Sequence, residues 1–148
     1  FLFLFSGSSV VFADDYQDAT DAYQRKDYKE AVRLFRLAAE QGNARAQYNL
    51  GFMYNEGEGV PQDYKEAVKW FRLAAEQGLA EAQYNLGNRY HKGQGVPQDY
   101  VLAHMWWNLS ASNGEKHAES NRKNIERKMT PQQIEKAQEM ARNWEPKK

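Results

Sequence analysis

A tandem repeat occupies the middle of the sequence. Residues 27–62 and 63–98 agree at 27 of 36 aligned positions without a gap. A fixed period of this length is typical of solenoids, in which one small unit cannot bury its apolar face alone and must stack on its neighbours. The sequence therefore predicts a stacked array with an extended surface, and it favours a binding scaffold over an enzyme.

Each copy of the repeat is predicted to form two helices. The first helix begins after Asp27 or Asp63, because each aspartate stands three residues before a glutamate in the arrangement of a capping box. This helix ends at Gly42 or Gly78, where glycine can adopt the left-handed conformation of a C-terminal cap. Local signals thus define both of its ends.

The second helix of each copy is predicted over residues 44–56 and 80–92, up to a Gly-x-Gly-Val-Pro loop that ends it. Gly51 and Gly87 lie in the middle of these helices. A glycine inside a helix costs about 1 kcal/mol relative to alanine. Its use in both copies indicates that a neighbouring helix crosses too closely for a Cβ atom.

Charge and cysteine content exclude several functions. The 20 basic and 20 acidic residues balance, so the chain lacks the uniform basic field that non-specific nucleic-acid binding requires. No cysteine is present, which excludes disulfides, thiol catalysis and cysteine-ligated metals. Stability must come from packing, and no cofactor is expected.

The first thirteen residues are uncharged and mostly apolar, and Asp14 and Asp15 follow them abruptly. This pattern is typical of the end of a signal peptide, with Val11 and Ala13 at the recognition positions and cleavage predicted near Ala13. An apolar strand or helix of the fold is the alternative. The stretch is too short to span a membrane. We therefore expect an exported protein without a transmembrane anchor, in the bacterial periplasm or secreted.

The repeat resembles two related families. Leu50-Gly51-x-x-Tyr54 followed by Ala67-x-x-x-Phe71 is similar to the helix pairs of tetratricopeptide repeats. The 36-residue period, the Gly-x-Gly-Val-Pro-Gln-Asp loop and the Ala-Ala-Glu-Gln-Gly helix end more closely resemble Sel1-like repeats. This resemblance implies an all-α, right-handed solenoid of antiparallel helix pairs, with seven to eight helices. It also implies an adaptor or scaffold for protein–protein interaction, often in the bacterial envelope.

The resemblance weakens toward both ends of the chain. A third copy begins at Asp99, has Trp107 in place of the core phenylalanine and turns polar in its second helix. Thr130 and Pro131 begin a final helix. The predicted segments are a signal-peptide remnant (residues 1–13), an N-terminal capping helix (14–26), two full repeats (27–62 and 63–98), a degenerate repeat (99–129), and a C-terminal capping helix with its tail (130–148).

A partner-binding groove follows from the resemblance. In Sel1-like arrays the helix that carries Gln-Tyr-Asn-Leu-Gly lines the concave surface, which implies that its outward positions contact a peptide or protein. Asparagine suits this role because one amide can donate to and accept from a peptide backbone. Alternatively, Asn49 and Asn85 only tie one helix to the next. The candidate groove residues are Arg45, Tyr48, Asn49, Phe52, Asn55, Glu81, Tyr84, Asn85, Asn88, Arg89, His91 and Lys92.

The candidate groove becomes more basic toward its C-terminal end. Three positions that are apolar, neutral or acidic in the first copy become Arg89, His91 and Lys92 in the second. We therefore expect a ligand such as an acidic peptide, a free carboxyl terminus or an anionic glycan. The alternative is a solvated helix face that glutamates balance. The third copy adds Arg122, Lys123, Arg127 and Lys128, and the balancing glutamates are Glu115, Glu119 and Glu126.

Other functions have weaker support in the sequence. No paired nucleophile and base, phosphate loop or metal-ligand cluster is apparent, so neither an enzyme nor a metal site is expected. His91, His104 and His117 lie in three different predicted helices. Trp70 and Trp106 could stack on a sugar, which makes a glycan or peptidoglycan binder the alternative function, or they could pack between repeats. We expect a monomer, although stacking of repeat edges would give self-association.

Overall fold

The computed structural model describes residues 15–147 and contains eight helices and no strand over that range. They are α1 (residues 15–24), α2 (Tyr28–Glu40), α3 (Ala44–Glu56), α4 (Tyr64–Glu76), α5 (Ala80–Lys92), α6 (Tyr100–Ser112), α7 (Ala118–Glu126) and α8 (Pro131–Arg142). The predicted all-α class and number of helices are confirmed. The predicted signal segment, residues 1–13, lies outside the described residues.

Helices that follow each other in the chain pack together from α2 to α7, and α8 returns onto α6. Because each helix contacts mainly its sequence neighbours, the array is an α-solenoid. We call α1, α3, α5 and α7 the inner row, and α2, α4 and α6 the outer row. None of the described helices combines the length and apolar character needed to cross a membrane.

One large aromatic side chain from each outer helix fills the core of its repeat. Phe35, Phe71 and Trp107 occupy equivalent positions and are buried. A Cβ atom at Gly51 would lie 2.8 Å from Phe71 Cδ1, and one at Gly87 would lie 2.6 Å from Trp107 Cδ1. Close-packed interiors leave no space for such contacts. The prediction that helices cross closely at these glycines is therefore confirmed.

The helix ends follow the predicted glycines and aspartates, with one correction. Gly42 and Gly78 have φ angles of 93° and 96°, so both adopt the left-handed conformation. The Asp63 carboxylate accepts a hydrogen bond from the Glu66 backbone N–H at 3.2 Å. The reciprocal half of the predicted capping box does not form, because the Asp63 N–H donates instead to the Tyr54 carbonyl at 2.9 Å.

A ladder of buried amides, absent from the sequence-based predictions, joins successive repeats. The buried Gln47 and Gln83 side chains each donate to a carbonyl in the last turn of the preceding outer helix, at 3.1 and 3.2 Å. Each also accepts a hydrogen bond from the end of the following outer helix. Gln77 Nε2 lies 2.8 Å from Gln47 Oε1, and Asn113 Nδ2 lies 3.0 Å from Gln83 Oε1. The ladder therefore fixes one repeat against the next.

The C-terminal helix covers part of the outer row. Helix α8 begins after Thr130, as predicted, and Thr130 and Gln133 form a complete capping box there. The Trp144 and Trp106 rings meet edge to face, with 6.1 Å between their centres. Trp106 and Trp70 are only 7% and 4% exposed. Both tryptophans therefore pack within the protein, and neither presents a face on which a sugar could stack.

Candidate ligand-binding face

The predicted groove residues lie on α3 and α5 of the inner row, in three different environments. Arg45 and Lys92 are exposed, and nine others are partly buried. Arg89 is the exception, because it is only 6% exposed. The nine partly buried residues are Tyr48, Asn49, Phe52, Asn55, Glu81, Tyr84, Asn85, Asn88 and His91.

Arg89 links two repeats, which corrects its prediction as a groove residue. Its guanidinium donates to Asn55 Oδ1 at 2.6 Å and lies over the Tyr64 ring, 5.3 Å from the ring centre. Burial lowers the pKa of Arg89, as expected for a cation that is removed from water. Its counterpart in the first copy, Met53, is also buried, so this position faces the core in both copies.

A hollow of about 420 Å³, which we call the basic hollow, lies between α5 and α7. The outer helix α6 contributes Trp107, whose Nε1 donates to Asn88 Oδ1 at 3.1 Å. His91 packs against the same indole, with 5.5 Å between ring centres. The lining residues are Tyr84, Asn88, His91, Lys92, Trp107, Asn121, Asn124, Ile125 and Lys128. Two lysines and three asparagines therefore converge here without a carboxylate.

The electrostatics of the basic hollow favour a negatively charged ligand. Burial lowers the pKa of His91, and the ammonium groups of Lys128 and Lys92 lower it further. Neither lysine forms an ion pair with another residue of the range 15–147. A bound carboxylate would be attracted by both lysines and would favour the protonated imidazole.

The basic residues within α7 have different surroundings from the two lysines of the basic hollow. Arg122 and Lys123 lie 3.9 and 3.1 Å from the Glu119 carboxylate. Glu126 is engaged with the buried His104, at 2.9 Å between the carboxylate oxygen and Nε2. A helix face balanced by glutamates, the alternative drawn from the sequence, therefore describes Arg122 and Lys123. It does not describe the two lysines of the basic hollow.

A second hollow, of about 260 Å³, lies between α1 and α3. We call it the aromatic hollow, because five of its seven lining residues are aromatic. Only its α3 residues were among the predicted groove positions. The α1 residues could have been found by aligning α1 with α3 at an offset of 32 residues, which pairs Tyr16 with Tyr48. The lining residues are Tyr16, Thr20, Tyr23, Phe35, Tyr48, Asn49 and Phe52.

The asparagines of the inner row have two different environments. Asn85 Nδ2 donates to the Glu81 carbonyl at 2.9 Å. Burial and the Glu81 charge raise the pKa of the Tyr48 hydroxyl, whereas its hydrogen bond with Asn85 lowers that pKa. Asn85 therefore bonds within α5 and lies close to the Tyr48 hydroxyl of α3. Asn49 and Asn88 instead line the two hollows.

The three histidines have separate environments. His91 lines the basic hollow, His104 is buried against Glu126, and the His117 and Tyr84 rings are 6.5 Å apart. Within residues 15–147, no group of three or more His, Cys, Asp or Glu side chains could hold a metal ion. The polar groups that do converge are the cations and amides of the basic hollow, which suit the binding of an anion.

Comparisons with known proteins identify the repeats. The Sel1 repeat profile matches residues 16–43, 44–79 and 80–115. A protective antigen of uropathogenic Escherichia coli strains that displays an SLR fold superposes with a TM-score of 0.85 at 34% identity, over 90% of this chain and 29% of that chain. A Sel1 repeat protein from Oxalobacter formigenes superposes with a TM-score of 0.69 at 34% identity, over 72% of this chain and 44% of that chain. No curated protein matches the sequence.

The chain thus spans less than half the length of these two solved structures. Two of the three matched repeats begin at the first residues of α3 and α5, so the profile and the helix boundaries agree. Sel1 repeat proteins generally mediate protein–protein interaction through a scaffold of stacked helix pairs. The profile match extends over most of the sequence, and the chain belongs to the Sel1 repeat family.

Proposed function

We propose that the chain is an exported adaptor that binds a carboxylate-bearing segment of a protein partner in a groove along its inner row. The observation that carries this proposal is the basic hollow, whose lining includes Lys92 and Lys128 but no carboxylate. The repeat scaffold alone does not select a ligand, because one fold serves many functions. The positive charge of the basic hollow restricts the proposed ligand to an anion.

The side chains of the basic hollow suit a carboxylate attached to a peptide. Lysine ammonium groups attract an anion as compact point charges. Asn88 and Asn124 carry amide groups that can donate to a carboxylate oxygen or to a peptide carbonyl. Hydrogen bonds to an ionised acceptor are roughly twice as strong as those between neutral groups. An acidic side chain and a free carboxyl terminus both present this acceptor.

A glycan ligand, the alternative drawn from the sequence, has less support. Recognition of a sugar by stacking needs an accessible aromatic face, but Trp70 and Trp106 are buried in the outer row. Trp107 lines the basic hollow but is only 2% exposed. A peptide carboxylate needs only the cations and amides that line the hollow.

Export is part of the proposal because of the segment that precedes α1. Residues 1–13 have the composition of a signal-peptide end, and we expect cleavage near Ala13 and a periplasmic location. N-terminal sequencing of protein recovered from a periplasmic extract should show a chain that begins at Asp14. Recovery of the uncleaved chain from the cytoplasm alone would contradict export.

Charge reversal in the basic hollow tests the binding proposal. The double variant Lys92→Glu/Lys128→Glu replaces two exposed cations by anions. Tagged protein captures partners from an envelope extract, and mass spectrometry quantifies them. We expect at least one partner of the wild-type protein to fall by about tenfold or more, because each reversal removes an attraction and adds a repulsion.

The matched control is Lys29→Glu/Lys65→Glu, which makes the same change at two exposed lysines of the outer row. This control should capture the partner as well as the wild-type protein does. Circular dichroism of all three proteins establishes that their helices are intact. Undiminished capture by the hollow variant, or an equal loss in the control, would contradict the proposal.

A further inference from the structure

The two hollows occupy equivalent places in the array. The Asp27 backbone N–H donates to the Ala22 carbonyl as the Asp99 N–H donates to the Tyr90 carbonyl, each at 2.9 Å. These equivalent bonds show that α1 corresponds to α5 in the repeat pattern. The repeat period likewise makes α2 the counterpart of α6 and α3 the counterpart of α7. The aromatic hollow is therefore the counterpart of the basic hollow, two repeats earlier.

The linings of the two hollows differ in chemistry. Asn88, His91 and Asn124 of the basic hollow replace a threonine, a tyrosine and a phenylalanine of the aromatic hollow. Lys128 of the basic hollow has Glu56 as its counterpart. The paired lining residues are Tyr16 and Tyr84, Thr20 and Asn88, Tyr23 and His91, Phe35 and Trp107, Asn49 and Asn121, and Phe52 and Asn124.

Acidic groups lie beside the aromatic hollow. The Tyr23 hydroxyl donates to Glu58 Oε1 at 3.3 Å. Burial and the Glu58 carboxylate raise the pKa of Tyr23 to about 12, and Glu56 adds to the shift. A ligand carboxylate is therefore repelled at the aromatic hollow and attracted at the basic hollow. The inner row thus has a chemical direction along the array.

Internal contacts occupy the equivalent place between α3 and α5. The Arg89 guanidinium binds Asn55 at 2.6 Å, and the Tyr48 and Phe71 rings lie 5.9 Å apart. A peptide that reaches both hollows would cross this stretch with its backbone, because the side chains of the protein already fill it. Side chains or a terminal group of the peptide would then enter the two hollows.

We propose that the aromatic hollow holds an apolar side chain of the same peptide whose carboxylate occupies the basic hollow, an inference that rests on the proposed function. Directly packed helices lie about 8–10 Å apart. Consecutive inner helices pack on the outer helix between them, so each of the two steps between the hollows is at least about 10 Å and the hollow centres lie at least about 20 Å apart. An extended peptide advances about 3.3 Å per residue. The apolar residue therefore lies at least about six positions from the carboxylate.

Peptide selection tests this spacing. A display library of random peptides about twelve residues long, long enough to span both hollows and carrying a free carboxyl terminus, is panned against the wild-type protein. Selected peptides should share an aromatic or aliphatic residue at one common separation, of at least about six positions, from a carboxylate. Synthetic versions with an amidated terminus, or with amides in place of acidic side chains, distinguish the two sources of the carboxylate.

A double-mutant cycle then tests the contact itself. Phe52→Asn introduces into the aromatic hollow the residue type that Asn124 supplies at the counterpart position, so the repeat should tolerate it. The affinity of the selected peptide should fall roughly tenfold, because its apolar side chain loses a buried contact. A peptide with serine in place of that side chain should bind the wild-type and Phe52→Asn proteins equally.

The outcomes separate this inference from the proposed function. If Lys92→Glu/Lys128→Glu abolishes binding but Phe52→Asn has no effect, or affects both peptides equally, only the inference fails. It also fails if selected peptides lack a common spacing, or if they carry lysine at the apolar position, which would indicate a cation held by aromatic rings. If no peptide is selected, or if neither variant alters binding, both proposals fail.

Discussion

At the scale of single residues, buried polar side chains hold the repeats in register. Gln83 is fully buried, donates to the Ala75 carbonyl and accepts from the Asn113 amide. Buried amides are tolerated when their donors and acceptors are both used. Gln47 makes the equivalent bonds one repeat earlier. The same pair of contacts therefore recurs at successive junctions.

Loss of one amide of the ladder should destabilise the fold. We expect Gln83→Leu to lower the free energy of unfolding by about 1–3 kcal/mol, because two hydrogen bonds at a buried site are removed. Urea denaturation followed by circular dichroism measures the change. The control Gln132→Leu, at an exposed position of α8, should alter stability by less than about 0.5 kcal/mol. A Gln83→Leu protein as stable as the wild type would show that the ladder contributes no stability.

His91 is expected to couple ligand binding to pH. Its pKa is lowered in the free protein by burial and by Lys128 and Lys92. A bound carboxylate would raise the pKa of His91 by offsetting these charges. The complex would then bind more protons than the free protein, so affinity rises as the pH falls through the range in which His91 titrates.

This coupling can be measured with the peptide selected by display. Its Kd should decrease several-fold between about pH 7.5 and about pH 5.5, where carboxylates remain mostly ionised and histidine gains a proton. Fluorescence anisotropy at a series of pH values gives the slope of log Kd against pH. The substitution His91→Gln should reduce this slope. A pH-independent Kd in the wild type, or the same slope in His91→Gln, would argue against a role for His91.

At the scale of helices, close crossings at glycine bring the inner and outer rows together. A Cβ atom at Gly87 would lie 2.6 Å from the Trp107 indole, which also lines the basic hollow. The crossing of α5 and α6 therefore supports the core and positions part of the candidate site. A change at Gly87 should affect both.

Gly87→Ala tests the crossing, because two effects of opposite sign compete. Helix propensity alone would stabilise the variant by about 1 kcal/mol. Overpacking against Trp107 typically costs about 1–3 kcal/mol, so we expect no gain and up to about 2 kcal/mol of net loss. Thermal unfolding measures the change. A gain of about 1 kcal/mol would show that the indole moves away without cost.

The helices were predictable from the sequence because their signals are local. α3 and α5 span residues 44–56 and 80–92, as predicted, since glycine and proline end them. The burial of Arg89 depends on how α5 packs against Asn55 of α3 and Tyr64 of α4, whereas the charge of an arginine favours an exposed position. The aromatic hollow was missed because α1 aligns with α3 at a shorter offset than the repeat period.

At the scale of the whole molecule, a neutral chain carries a polarised inner row. The formal net charge is zero, yet Glu56 and Glu58 lie beside the aromatic hollow while Lys92 and Lys128 line the basic one. Differences between the repeat copies predicted the direction of this gradient. The division of this gradient into two hollows depends on how α1 and α7 pack. Both helices lie outside the two full repeat copies, so a comparison of those copies could not predict it.

The central claim is that a peptide binds along the inner row, and NMR mapping of the bound peptide tests it most directly. Titration with the peptide selected by display should shift backbone amide resonances near Asn88, Lys92 and Lys128, and near Phe52 on α3. Amides of the outer helices should change little where they face away from the inner row. Shifts concentrated on the exposed faces of α2, α4 and α6 would contradict the claim.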